Sequence, residues 1–327
     1  MIRASLGPGG LTASRICLGC RDFGSRVDEE SAHRLLDAAD HLGIDFLDLA
    51  DVYPVPPLPT TWGLSEEIVG RWLKGRRDRF VVATKFGSRV GSGVDDAGTD
   101  RLHVLKACEG SLRRLQTDRI DLYFVHHPDP QTPIDETLSA LEQLVDAGKV
   151  RYVGLSNFDA TSLAAAVAAA SPRMRRRIAA VQVRYSLLHR APEISLVPLC
   201  DELGLALLPW NPLATGMLAG KYQRSVAPPR GSRFAEGNYG SRYQAYYWSD
   251  RCFDFVESLQ RLAREQGCSP AQLALAWILG RDTVAAAIIG ASTPSQLEET
   301  AGAVARQVSE VTRRRLDHLS EWSLQPA

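Results

Sequence analysis

The chain has 327 residues, with 38 basic and 38 acidic side chains, 45% hydrophobic and 23% charged residues. That is an ordinary globular balance, which argues against disorder and offers no basic excess for the phosphates of nucleic acid or a membrane surface. No run of about 18 apolar residues appears and Met1 to Gly10 lacks a hydrophobic signal core, so the expected location is the cytoplasm and the expected partner a small molecule, with oligomeric state left open.

From the first residues onward, short apolar runs of strand type alternate with segments of helical period. The predicted strands are Ile16 to Leu18, Ile44 to Asp48, Arg79 to Thr84, Ile120 to His126, Val150 to Leu155, Ala179 to Val183, Leu205 to Pro209 and Thr283 to Ile289. Between them lie amphipathic helices. Ala32, Leu35, Leu36, Ala39 and Leu42 share one face; so do Leu102, Leu105, Cys108, Leu112 and Leu115, and again Ile134, Leu138, Leu141 and Leu144. Ser269-Pro-Ala-Gln272 and Thr293-Pro-Ser-Gln296 read as capping boxes with proline in the first turn.

Eight such units point to a single α/β domain over 1–327, a (β/α)8 TIM barrel with extra helices and a long loop after strand seven. A dinucleotide-binding open sheet is disfavoured, because no GxGxxG follows the first strand. Gly87 to Gly93 follow strand three in the wrong order and read as a loop. Pro54-Val-Pro-Pro-Leu-Pro59 is a stiff extended loop. The stretch from Asn211 to Ser249 is too long for a routine connection and is expected to cover an active site. Of six scattered cysteines only Cys17 and Cys20 are close. No matching second pair follows them, so buried apolar cysteines are expected and no metal site.

Catalytic groups of such barrels stand at the carboxyl ends of the strands. There the sequence places Asp48 and Tyr53 after strand two, Lys85 after strand three, and His126 and His127 after strand four. Singly, each has a structural explanation, such as an ion pair between Asp48 and Lys85.

Taken together with Gly154-Leu-Ser-Asn-Phe158, Val181-Gln182, Trp210-Asn-Pro-Leu213 and Ile289-Gly-Ala-Ser292, these motifs resemble the aldo-keto reductase superfamily, in its bacterial NADP(H)-dependent branch, from Arg15 to about Ala303. The resemblance implies an enzyme reducing an aldehyde or ketone, with NADPH as cofactor and NADH possible. Tyr53 would be the general acid, its pKa lowered by Lys85, with Asp48 holding Lys85 and His126 orienting the substrate oxygen. His127 is expected to point the other way along the strand.

By the same resemblance, Ser156, Asn157 and Gln182 would bind the nicotinamide carboxamide and Trp210 would stack on the ring. Asn211, Pro212, Leu213, Ala214, Thr215 and Lys221 would hold the pyrophosphate, and Gly290, Ser292, Gln296, Glu299 and Thr300 the adenosine half. Gln296 has a competing role in its own cap. Lys221, Arg230 and Arg233, all in the long loop, are the cations expected to reach a 2′-phosphate.

Departures fall at Leu49 for the usual threonine, Pro54 for glycine, His127 for tryptophan and Thr300 for asparagine. Arg21 faces the expected substrate side, with Trp62, Phe86, Tyr239, Tyr246, Tyr247 and Trp248 as the aromatic supply of the loops. Two other readings accompany the reductase: a cofactor-sensing regulatory subunit of slow turnover, and a barrel lyase or isomerase using the tyrosine and lysine without hydride transfer.

Overall fold

The computed structural model describes residues 1–93 and 95–325. Val94, just after the loop expected over Gly87 to Gly93, and the last two residues of the 1–327 domain lie outside them.

Two short strands, β1 (Arg3–Ser5) and β2 (Thr12–Ser14), form an antiparallel hairpin. Eight parallel strands then close into a barrel: β3 (Ile16–Gly19), β4 (Phe46–Asp48), β5 (Val81–Phe86), β6 (Ile120–Val125), β7 (Val150–Ser156), β8 (Ile178–Arg184), β9 (Ala206–Trp210) and β10 (Ala287–Ile289). β10 returns to β3, with Ile288 opposite Cys17. Every strand expected from the sequence is present, its ends matching or shifted by at most four residues. The strands are buried on both faces, as their unbroken Val, Ile and Leu content requires in a parallel sheet covered by helices.

The barrel interior is filled by Cys17, Phe46, Ala83, Leu122, Phe124, Ala180, Leu208 and Ile288. The N-terminal hairpin, which the strand pattern did not reveal, brings Leu6 and Leu11 into the same cluster and so closes the amino-terminal end. Its turn needs Gly7: φ is +74°, and a Cβ there would stand 2.2 Å from the carbonyl oxygen of Ala179. Cys17 and Cys20 are free and buried, as expected of apolar cysteines.

A second shell of core lies between strands and helices. Leu35, Leu36 and Ala39 of the first helix and Leu138, Leu141 and Leu144 of the fourth are buried on the expected faces. Leu102 departs from its expected face and is exposed in the first turn of its helix, where Val104 takes the inward position. Ser269 and Gln272 form a complete capping box. Thr293 forms half of one, accepting from the Gln296 amide while the Gln296 side chain turns to Ser292.

The stretch from Asn211 to Ser249 is more ordered than a loop. It holds two 3-10 turns and an α-helix, Gly237–Tyr247, which its glycine and tyrosine content hid from a periodicity reading.

Candidate active site

At the carboxyl ends of the strands lies a cavity of about 820 Å³, lined from every side of the barrel. Register sets its floor. Gly19 pairs with Asp48, Asp48 with Ala83, Lys85 with Phe124, and Ser156 with Gln182, so functional side chains of neighbouring strands stand at one level.

Lys85 is fully buried. Its Nζ donates to both carboxylate oxygens of Asp48, at 2.9 and 2.8 Å, and to the carbonyl of Leu49 at 2.6 Å. Burial acts to lower its pKa, yet Asp48 and Tyr53 outweigh burial and leave it raised, so the ammonium is charged. The half-buried Tyr53 lies over it, with Nζ 5.0 Å from the ring centroid.

One expectation needs correction here. Burial pushes the Tyr53 phenol up, and the opposing pull of Lys85 only limits the rise. The phenol is therefore a fully protonated acid at neutral pH, and Lys85 keeps it from becoming a weaker one still.

His126 meets the Tyr53 ring edge to face, centroids 6.0 Å apart, and its Nδ1 lies 3.4 Å from the Ser88 hydroxyl. Burial, then Lys85 and His127, hold its imidazole well below the usual histidine range, which makes it neutral. His127 does not point away. Its ring stacks on that of His126 at 4.5 Å, because β6 ends at Val125 and the alternation of a strand no longer applies to the next two residues.

Around this group the expected cofactor residues divide. Ser156, Asn157, Gln182 and Trp210 all line the cavity. Gln182 Nε2 donates one N–H to Asp48 at 2.8 Å, which leaves its second N–H and its carbonyl oxygen unspent. Asn157, at φ +62°, ties three strand ends together: Nδ2 donates to the His126 carbonyl at 2.9 Å and Oδ1 accepts from Trp210 Nε1 at 3.1 Å. Its role in the free protein is thus to fix the Trp210 ring.

Asn211, Pro212, Leu213 and Thr215 line the next part, with Lys221. Ala214 does not. Its side chain is fully buried, and its φ of +48° belongs to a left-handed turn through Gly216 that Asn211 caps at the Thr215 amide. Gly290, Ser292, Gln296, Glu299 and Thr300 line the far end. Two of these are engaged within the fold: Gln296 Oε1 accepts from the Ser292 amide at 3.0 Å, and the Thr300 hydroxyl donates to the Gln296 carbonyl at 2.8 Å. The Ser292 backbone amide is therefore already hydrogen-bonded.

Arg233 reaches the cavity and Arg230 does not line it. Arg233 Nη2 and Nε bind Asp22 at 2.8 and 3.2 Å, and its guanidinium occupies the space where Gly290 has no Cβ. Burial would raise the Asp22 pKa, but Arg233, Arg21 and Arg26 together bring it below the ordinary value. Arg21 lies between Asp22, at 2.9 Å, and Glu236, at 3.8 Å. Of the expected aromatics, Trp62 and Tyr239 line the cavity. Phe86 and Tyr247 are buried in the core, and Tyr246 and Trp248 stand outside the lining.

Asp22, Arg26, Ser88, Arg89, Arg242 and Tyr243 line the cavity and were not singled out from the sequence. Asp22 and Arg233 are separated by 211 positions, and nothing local marks them as a pair.

A closed parallel barrel with a buried lysine, a tyrosine above it and a neutral histidine at the strand ends defines the class of barrel oxidoreductases. The chain matches the model of the Aldo/keto reductase family over residues 15–321, and it belongs to that family. It is 39% identical to "Uncharacterized oxidoreductase YrpG" of Bacillus subtilis over 91% of this chain and 90% of that one. It is 35% identical to "Probable voltage-gated potassium channel subunit beta" of Oryza sativa, over 90% and 88%. It is 33% identical to "Aldo-keto reductase yakc [NADP(+)]" of Schizosaccharomyces pombe, over 90% and 84%.

Proposed function

We propose that the protein is an NADP(H)-dependent reductase of small-molecule aldehydes or ketones, acting in the cytoplasm, with Tyr53 as the general acid. The observation that carries this reading is the fully buried Lys85, held by Asp48 directly beneath the Tyr53 ring. A purely structural ion pair has no need of a half-buried phenol and a neutral histidine facing a cavity.

The cavity fits a nicotinamide dinucleotide. The half-buried Trp210 ring is fixed at its edge by Asn157, Ser156 retains its hydroxyl proton for a carboxamide, and Arg26, Lys221 and Arg233 supply cations for phosphates. Arg21 Nη2 is also buried without a hydrogen-bond partner. When bound, the cofactor supplies the hydride. Everything else falls to the chain: His126, neutral, orients the substrate oxygen, and Tyr53 hands its phenolic proton to that oxygen as negative charge develops. Lys85 then stabilises the phenolate left behind.

The relative named as a channel subunit motivates a second reading, a cofactor sensor of slow turnover. A panel of aldehydes, keto sugars and ketones followed by NAD(P)H absorbance separates the two. Turnover within the ordinary enzymatic range of about 1 to 1,000 per second supports the reductase, and its absence with intact cofactor binding supports the sensor.

A further inference from the structure

The cavity carries two sets of cations. Arg26, Lys221 and Arg233 belong to the side of Asp22, Gly290 and Glu236. Acids stand among them there, with Arg233 bound to Asp22 and Arg26 Nε 3.9 Å from Glu236.

The second set stands by Tyr53 and His126. Ser88 contacts His126, and Arg89 follows it. On the other side the helix Gly237–Tyr247 presents Tyr239, Arg242 and Tyr243, spaced three and four apart and so on one face, to the same cavity. Arg242 acts with burial and Lys85 to lower the His127 pKa, which puts its charge near the stacked histidines.

Among the described residues neither Arg89 nor Arg242 has a carboxylate at ion-pair distance. Arg89 Nη1 donates to the Gly93 carbonyl at 2.8 Å, and Arg242 Nε to the Tyr246 hydroxyl at 3.3 Å. Both are exposed, so most of their donors are unspent. The acids that line the cavity are Asp22, engaged by Arg233, Asp48, engaged by Lys85, and Glu299, on the Ser292 to Thr300 segment. The mouth is thus positive, walled by Trp62, Tyr239 and Tyr243.

We infer that the substrate is an anionic carbonyl compound, carrying a carboxylate or phosphate remote from the carbonyl, and that Arg89 and Arg242 bind that oxyanion. The inference rests on the reductase reading for its carbonyl and on the mouth's own charge for its anion. A guanidinium offers a paired set of donors that matches either oxyanion, and two of them flanking an aromatic slot hold a flat substrate by its far end while its carbonyl meets Tyr53 and His126.

The test compares kcat/KM for 4-carboxybenzaldehyde and 4-formylphenyl phosphate with that for the neutral methyl 4-formylbenzoate. The charged aldehydes should be preferred by about tenfold or more, the scale of one charge-assisted hydrogen bond, and the larger of the two preferences identifies the oxyanion. The double change Arg89→Ala with Arg242→Ala should remove most of that ratio, while Arg242→Lys retains part of it. Equal use of charged and neutral aldehydes by the wild type, or an undiminished ratio in the double variant, overturns the inference.

A second arm titrates 4-(hydroxymethyl)benzoate and benzyl alcohol calorimetrically into the protein with NADP+. If no aldehyde of any charge is turned over, the reductase reading fails. The oxyanion site is then still supported by carboxylate binding that the double variant loses, and is overturned by equal or absent binding of the two alcohols.

Discussion

The imidazole of His126 lies flat on that of His127, with centroids 4.5 Å apart and planes within 8°. Two protonated rings cannot share that contact without repulsion, and burial with Lys85 already disfavours the charge on His126. His126 is therefore neutral across the physiological range, and kcat should be flat from about pH 6 to 8 on its account, given the ordinary histidine value near 6.5. An acid limb near that value, abolished by His126→Gln, would refute this.

The same shifts bear on stability. His126, His127 and His189 all have lowered folded values, that of His189 falling to about 4. A histidine depressed on folding contributes nothing above its unfolded value. Below about pH 6.5 the unfolded chain takes up protons that the folded chain resists, so stability should fall from pH 7.5 to 5. The urea midpoint at the two pH values measures it, and a rise on acidification contradicts the assigned direction.

Removing the phenolic proton should separate chemistry from architecture. Tyr53→Phe is expected to lower kcat by a factor of order 10² to 10⁴, the reach of a general acid, with an unchanged melting temperature and cofactor affinity. Near wild-type turnover would end the assignment of Tyr53.

Lys85 pulls the Tyr53 pKa down against burial, which pushes it up. Reduction needs the phenol protonated, so its alkaline limb falls above the tyrosine value, and loss of the lysine moves that limb to higher pH. Lys85→Met alone leaves Asp48 buried and unpaired, a defect of about 3 to 5 kcal/mol. The pair Asp48→Asn with Lys85→Met avoids it, and the pH profile of kcat/KM in that double variant should show the displaced limb. An unmoved limb detaches Lys85 from the acidity of the tyrosine.

The barrel, and the meeting of Asp48, Tyr53, Lys85 and His126 at its rim, were legible because both are local. A buried parallel strand writes itself as an apolar run, and each of those four residues stands within a few residues of a strand end. What escaped the sequence was long-range or irregular. Arg233 meets Asp22 across 211 positions, His127 turns with His126 because the strand has already ended, and Gly237–Tyr247 is helical through packing and not through periodicity. The sign of the Tyr53 shift escaped too, since burial outweighs a neighbouring charge only once the depth of the ring is known.

The N-terminal hairpin gives a test of the fold away from the chemistry. Leu6 is fully buried in the barrel floor, and Leu6→Ala should cost about 2 to 5 kcal/mol. Gly7→Ala meets the Ala179 carbonyl at 2.2 Å in a left-handed conformation, and should destabilise by at least about 1 kcal/mol. Denaturant unfolding measures both. If neither variant shifts the midpoint, the hairpin does not close the barrel.

Cofactor preference turns on which cations meet the 2′-phosphate. The sequence offered Lys221, Arg230 and Arg233 alike, and the fold separates them: Arg230 is exposed away from the cavity lining, whereas Arg233 stands against Gly290 with Lys221 and Arg26 nearby. Arg233 is also paired with Asp22, so part of its charge is already neutralised, and a phosphate must compete for the remaining guanidinium donors. Arg233→Ala and Lys221→Ala should each lower the NADPH to NADH ratio of kcat/KM by about tenfold, the scale of a charge-assisted hydrogen bond, while Arg230→Ala leaves it unchanged. Asp22→Asn should move the ratio the other way, because it frees Arg233 from its competitor. A ratio indifferent to Arg233, Lys221 and Asp22 alike would assign the phosphate to backbone amides and neutral hydroxyls instead of to this cluster.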